Sequence, residues 1–485
     1  MTVTIALENY GLNPTNGFLP ATAPLTVLSD PYYKPWEDTV RILNHLLLAG
    51  KLRARIRSLP LLSVDRILGN VAEMQRAFLV LSMLTHAYVW GKHEPVMDRL
   101  PEQLAVPFVK LADTLEMRPV ACNASVVMWN WQLLDDTPVE GSGGVKYDMD
   151  ISNLATQFTF SGSIDESWFY LITTAIEAVG GKAVSAIVNA IDACNESDIS
   201  LVASNLESLF STQEEINHLL RRMFDKCDPY VFYWKIRSYL AGWQNMAEAG
   251  LPLGLIYEGV DPPEDKDGRP VYRKYAGGSA AQTPIIQVLD IALGVEHFPT
   301  GMGPVSSTAS PVLTPHQRHN SFLMDMRNYM PGKHRQFLTD LAKVCKIRQF
   351  VIENCNPNAI ASGDKVEERQ RLLNAYNQCV LSLKKFRDIH VQIATRYIVI
   401  PARKGPSVGQ GYGTPINATE SGKQQPEQVV GLRDGGGLAR HVSANAIVRG
   451  TGGTDLMAFL KQARDETTDT LLYHTGPTTT YTKNT

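Results

Sequence analysis

Apolar residues recur at three- and four-residue spacing from Trp36 onward, through WEDTVRILNHLLLAGKLRARIRSL and then VDRILGNVAEMQRAFLVLSMLTHAYVW, which predicts helices. A short helix over Pro107–Leu115 and the stretch VACNASVVMWNWQLL continue the pattern. After a polar, glycine-rich interval at 136–164 the same spacing resumes in SWFYLITTAIEAVGGKAVSAIVNAI and in DISLVASNLESLFSTQEEINHLLRRMFDKCD. It continues in YVFYWKIRSYLAGW, where Tyr233 and Arg237 stand one turn apart on one face. The segment AGGSAAQTPIIQVLDIALGVEH reads as a Gly-Ser loop feeding a helix with Pro284 in its first turn. That helix is apolar nearly all round and is expected to be buried, so Asp290 in its middle needs a partner. SFLMDMRNYM, broken by Pro331-Gly332, is followed by the helical stretches RQFLTDLAKVCKIRQFVIENC, EERQRLLNAYNQCV and LMAFLKQARDETTDTLL. Neither a strand series nor an internal repeat interrupts them, so the expected fold class is all-α, in two helical domains.

The organisation follows from the breaks. Residues 1–35, rich in Pro, Asn and Thr, read as an extended arm; with the first helices they make a small N-terminal domain over 1–140. A linker is expected over 141–164 and a large helical domain over 165–403. A flexible insertion loop over 404–447 is Gly-, Gln- and Ser-rich, and loops of about 40 residues are usually functional or disordered. A glycine loop and a C-terminal helix over 448–485 complete the large domain.

Composition narrows the function classes. The 485 residues carry 46 basic and 49 acidic side chains, a net charge of −3, which favours neither nucleic acid nor an anionic membrane. Cys122, Cys194, Cys227, Cys345, Cys355 and Cys379 are scattered with no CxxC pair, so no zinc ribbon or disulfide framework is indicated. The N-terminus has no basic region followed by an apolar core, the mark of a signal peptide. The longest apolar run, Ala77–Trp90, contains Ser82, Thr85 and His86 and falls short of the roughly 20 residues of a membrane span. The expectation is a cytoplasmic monomer.

Candidate chemistry centres on VLSLKKFRDIHVQIATRYIVIPA, Val380–Ala402, which Pro401 is expected to end. Leu383, Phe386, His390, Ile393, Ala394 and Tyr397 fall on one face, with Arg387 nearly one turn before the histidine. An imidazole in that setting is either a core histidine with both nitrogens hydrogen-bonded or an axial ligand to haem iron with Arg387 near a propionate. Elsewhere, the loop after Ala446-Ile447-Val448 lacks the GK[ST] ending of a phosphate loop, and His316 and His319 lack the further ligands of a zinc site.

Six separate stretches, in order, resemble the indoleamine 2,3-dioxygenases: HAYVWGKHEP (86–95), FYWKIRSYLAGW (232–243), AGGSAAQ (276–282), FLMDMRNYMP (322–331), HVQIATRYIVIPA (390–402) and GTGGTDLMAFL (450–460). The resemblance implies a two-domain helical protein holding haem b in the larger domain. It assigns His390 as the iron ligand, Arg387 as the partner of a haem propionate and Asp290 as the support of that arginine. Gly278, Ser279 and Ala280 line the haem edge. Phe232, Tyr233 and Arg237 take distal substrate positions, with Arg237 on the substrate carboxylate. Thr451, between Gly450 and Gly452, closes over the substrate's amino and carboxylate end. The family's pocket serine aligns with Thr173, less well with Thr174, and its indole-flanking tyrosine with Asn123, which makes the pocket larger and more polar.

The reaction so implied inserts both atoms of O2 across the indole C2–C3 bond of L-tryptophan to give N-formylkynurenine, feeding kynurenine and NAD formation. An external electron donor would keep the iron ferrous. Asn123 leaves open a different indole as substrate, and a haem-binding sensor with little turnover is the alternative outside enzymes.

Overall fold

The computed structural model describes residues 5–91, 94–138, 147–302, 321–356, 365–405, 438–442, 448–451 and 455–472. The longer helices are α1 (Lys34–Arg41), α2 (Val71–Trp90), α3 (Glu102–Thr114), α4 (Ile164–Asn195), α5 (Ile199–Arg221), α6 (Pro284–Leu293), α7 (Gly332–Val344), α8 (Ile347–Asn354), α9 (Val366–Ala394) and α10 (Leu456–Thr468). Side chains that accept from the first turn start several of them. Asn70 caps α2, Ser163 caps α4, Asp198 caps α5 and Asp455 caps α10. Pro284 opens α6, and Gly294, at φ +66°, closes it.

The framework around the site is α5 packed on both α4 and α9, with α10 laid along α9. Asn217 of α5 donates to the Ser382 carbonyl of α9 (3.1 Å) and to its hydroxyl (2.9 Å), which fixes the rotation of these helices. α4 is long and apolar enough to cross a membrane by length and composition; most of it is buried here as a core helix. Most buried apolar residues form one cluster that runs from Ile5 to Leu472, and a second, small cluster joins Tyr233, Trp234, Ala402 and Ala439.

Several expectations change on folding. The arm is packed rather than merely extended: Leu7, Leu12, Phe18 and Leu19 are buried, and Tyr10 and Phe18 set ring edges against Phe337 of α7. VACNASVVMWNWQLL is a π-turn at Ala124–Met128 followed by a strand, because its apolar residues are buried on all sides and periodicity cannot type such a run. Two small sheets exist: β1 (Arg99–Leu100) pairs in parallel with β4 (Ile256–Tyr257), and β2 (Trp131–Leu133) pairs antiparallel with β3 (Leu154–Thr156). β3 falls inside the expected linker, of which 147–164 are described and ordered by such pairing.

The stretch RQFLTDLAKVCKIRQFVIENC divides at Cys345-Lys346 into α7 and α8. Pro401 does not end the helix that carries His390. α9 passes through a π-turn at Thr395–Val399 into a short helix, Ile400–Lys404, with Pro401 in its first turn. The wider turn shifts the hydrogen-bond register, so the missing Pro N–H falls where none is required.

Candidate active site

His390 projects from α9 where two cavities of about 130 and 150 Å³ meet, sharing Ala280, Ala281, Phe459 and Leu460 as walls. Toward one side lie Thr173, Gln287, Asp290, His297 and Arg387; toward the other lie Phe169, Phe232, Arg237, Gly278 and Thr451. Among the described residues neither ring nitrogen of His390 has a hydrogen-bond partner. Burial, with Arg387 a lesser cause, pushes its pKa down to about 4, so the ring is neutral at pH 7.

His86 shows the opposite case. It is fully buried, its Nδ1 lies 2.7 Å from the Tyr239 carbonyl, and its Nε2 accepts from the Ala121 N–H at 2.9 Å. His86 is thus a satisfied core histidine, whereas His390 is unpartnered at a cavity wall; His334, buried against Phe18, also leaves Nδ1 without a partner but lines neither cavity. A single neutral imidazole facing an apolar cavity would suit a porphyrin iron, which brings its nitrogen donors with the macrocycle. Among the described residues no group of three or more His, Cys, Asp or Glu could hold a metal ion without such help.

Arg387 and Asp290 pair at 2.5 Å, both nearly fully buried. Burial alone would raise the Asp290 pKa; the Arg387 charge, followed by His297, holds it below the ordinary 3.8. Arg387 also donates to the Thr467 hydroxyl of α10. His297, Glu466 and Thr467 were not legible in the sequence. His297 lies in an aperiodic turn, and Glu466 and Thr467 lie on a helix whose outer polar residues look alike.

Arg237 is 2% exposed and lies between the His390 cavity and a second one bounded by Tyr233, Glu248 and Arg440. Its Nη1 and Nη2 donate at 2.5 Å to the carbonyls of Leu438 and Arg449; its Nε has no partner. Among the described residues no carboxylate pairs with it, and burial lowers its pKa to about 10, still charged at pH 7. Arg237 is therefore not a solvated surface cation.

The other expected residues divide. Phe232 and Phe169 set their rings 4.8 Å apart in the cavity wall. Tyr233 turns away from His390 into the second cavity, under the Arg237 guanidinium at 5.3 Å, and its hydroxyl donates to the Arg440 carbonyl. The π-turn at Phe232–Ile236 separates the two neighbouring rings in this way. Thr173 faces the His390 cavity with its hydroxyl on the Phe169 carbonyl (3.3 Å). Thr174 instead ties Val127 in the core.

Ser279 caps a short 3₁₀ turn in a box with Gln282. Gln282 Oε1 also accepts from the Asn123 N–H at 3.0 Å. Asn123 is buried behind this turn rather than in either cavity wall, and its Nδ2 has no partner. Gly278 donates to the Leu240 carbonyl, and Gly277 donates to the Thr451 carbonyl. These bonds join the Arg237 segment, the 277–280 wall and the loop before α10. Gly452, His316, His319 and most of the 404–447 insertion lie outside the described residues; Leu438 and Ala439 of that insertion are buried.

Comparison with known proteins agrees with this arrangement. The family profile described as indoleamine 2,3-dioxygenase matches residues 6–470. The chain is 37% identical to the indoleamine 2,3-dioxygenase of Saccharomyces cerevisiae over 96% of its own length and 93% of the relative's. It is 31% identical to human indoleamine 2,3-dioxygenase 2, covering 98% and 97% of the two chains. It is likewise 31% identical to the 6-hydroxytryptophan 2,3-dioxygenase of Fusarium equiseti, covering 96% and 98%. With a helical fold, an unpartnered imidazole in an apolar cavity and a match over nearly its full length, the chain belongs to the indoleamine 2,3-dioxygenase family.

Proposed function

We propose that this dioxygenase opens the indole ring of L-tryptophan with O2, giving N-formylkynurenine, and that it does so with haem b held through His390. The observation that carries the reading is one cavity with a neutral, unpartnered imidazole on its wall and a buried guanidinium lacking a carboxylate at its end. Haem b, the form not attached through thioethers, is favoured because the chain has no Cys-x-x-Cys-His sequence. Bound iron porphyrin supplies O2 activation.

The chain's own residues supply position and dryness. Arg387, fixed by Asp290 and Thr467, offers positive charge at one edge for a propionate. Phe169 and Phe232 form an aromatic wall for an indole. Arg237 binds the substrate carboxylate through its free Nε and one Nη, whose backbone carbonyl it exchanges for the charged partner. The Thr451 segment, tied to Gly277, covers the amino-acid end of the substrate. Among the described residues no acid–base dyad lines the cavity that His390 shares with Arg237, which fits chemistry carried by the cofactor. The proposal includes an external electron donor, a cytoplasmic location, a monomeric state and a division into a small and a large helical domain across a linker at 141–164.

A second reading, a ring-hydroxylated indole as substrate, is favoured by the similarity to the 6-hydroxytryptophan 2,3-dioxygenase of Fusarium equiseti. Steady-state oxygen uptake by the reduced holoenzyme with L-tryptophan, 6-hydroxytryptophan and tryptamine separates them. Labelled O2 should place both atoms in the ring-opened product. Turnover of tryptamine equal to that of tryptophan would remove the carboxylate site, and no product from any of the three would remove the enzyme.

A further inference from the structure

The charge cluster at one edge of the His390 cavity extends beyond Asp290 and Arg387. His297, in the turn after α6, sets Nε2 3.1 Å from Asp290 Oδ2 and Nδ1 2.5 Å from Glu466 Oε2. Ionised carboxylate oxygens accept and do not donate. An imidazole that faces one at each nitrogen makes both hydrogen bonds only when both nitrogens carry protons. The charges then balance, with Arg387 and His297 against Asp290 and Glu466. A neutral ring can donate to only one of the two carboxylates, leaving the other against a bare nitrogen.

Glu466 belongs to α10, which walls the cavity through Phe459, Leu460 and Ala463. The same face of α10 is joined to the turn by further bonds. Glu466 Oε1 accepts from the Phe298 N–H (3.0 Å), Gln462 Oε1 accepts from the Gly301 N–H (2.8 Å), and Gln462 Nε2 donates to the Phe298 carbonyl (3.1 Å). The turn is thus bound to α10 on one side and, through Asp290, to α6 on the other.

We propose that His297, as an imidazolium between Asp290 and Glu466, is a positioning residue that fastens α10 over the His390 cavity and so sets how tightly haem is retained. The inference rests on the reading that haem lies against His390. The groups that face or act on this cluster come from every packed element. They are Asp290 of α6, Arg387 of α9 at 3.2 Å from Nε2, and Glu466 of α10. Arg327 interacts electrostatically with Asp290, and Asp465 and Glu466 act together on Asp469 at the end of α10. Burial and Arg387 oppose the proton; the two carboxylates outweigh them and hold the His297 pKa above 6.5. A raised folded-state pKa means that the latch is complete below the ordinary value and is lost as pH rises through the folded one.

The test is haem transfer from holoenzyme to excess apomyoglobin, followed across pH for wild type, His297→Gln and Glu466→Gln, with hydrogen exchange of the α10 amides in the haem-free chains. Gln at 297 keeps hydrogen-bonding groups and removes the charge. At neutral pH both variants should release haem about tenfold faster or more, in the range for residues that support a metal ligand. Wild-type release should accelerate as pH rises through the His297 pKa, and that of His297→Gln should be flat over the same range. Equal release, or the same rise in the variant, overturns the proposal. If the wild type binds no haem, the haem reading fails and retention with it. Exchange then decides the latch alone: faster exchange over 456–468 in His297→Gln keeps it, and unchanged protection overturns it.

Discussion

Arg387 Nη2 and Asp290 Oδ1 lie 2.5 Å apart between α9 and α6, a charge pair buried less than one turn from His390. Both groups are nearly fully buried, so removing Asp290 leaves the Arg387 charge without a carboxylate. Asp290→Ala should cost on the order of 3–5 kcal/mol and weaken haem retention. The Asp290 pKa is held below 3.8, so the pair is complete above that value and is lost as pH falls through the lowered one. Thermal unfolding of the variant against wild type, and acid titration of the Soret band, check both statements.

His390 and His86 should respond in opposite ways to truncation. His390→Ala removes no hydrogen bond of the described chain and should fold while losing the Soret band of the haem-loaded protein. His86→Ala strands the Tyr239 carbonyl and the Ala121 N–H and should destabilise the protein by at least about 2 kcal/mol. Chemical unfolding and haem content measured on both variants separate the roles.

Arg237→Gln should lower kcat/KM for L-tryptophan by an amount equivalent to roughly 2–5 kcal/mol, at unchanged haem content. Tryptamine, which has no carboxylate, should be a poor substrate of the wild type and be little affected by the change. Equal loss on both substrates would locate the effect in the Leu438 and Arg449 carbonyl contacts instead.

Asn123 carries a buried amide donor without a partner. Asn123→Leu keeps the volume and removes the donor, and should stabilise the protein by about 1 kcal/mol. Because Asn123 stands behind the cavity wall, the same variant should leave the ratio of the rates on 6-hydroxytryptophan and tryptophan unchanged. Melting curves and the ratio of the two rates give the answer.

Gly277 packs so closely on its neighbours that a Cβ there would lie 2.0 Å from the Leu240 carbonyl and 2.4 Å from the Gly242 nitrogen. Gly277→Ala should cost about 1–3 kcal/mol as an overpacked core position does. It should also displace the Gly278–Ala280 wall, lowering haem content together with stability. A variant with normal haem uptake and melting temperature would show the wall to be compliant.

The residues whose chemistry is visible one at a time were legible in the sequence. A histidine on an apolar helical face, a carboxylate inside an apolar helix and a proline at its start define His390, Asp290 and α6, because helical periodicity states which side chains must be buried together. Six stretches in order further implied the family. What the sequence did not carry was whatever depends on a partner far along the chain. His297 and Glu466 lie in a turn and on a helix 169 residues apart, and become a pair only when α10 lies along α9. Tyr233 and Phe232 are neighbours with the same character, yet a π-turn sends one ring to the cavity and the other beneath Arg237. Asn123 aligned with a pocket wall and stands behind it, because Gln282 holds its backbone. Pro401 read as a stop and is passed over, since a shifted hydrogen-bond register removes the need for its missing donor. Local pattern determines burial and helix; which buried groups meet, and which way two adjacent side chains turn, is decided by packing between elements that the pattern treats separately.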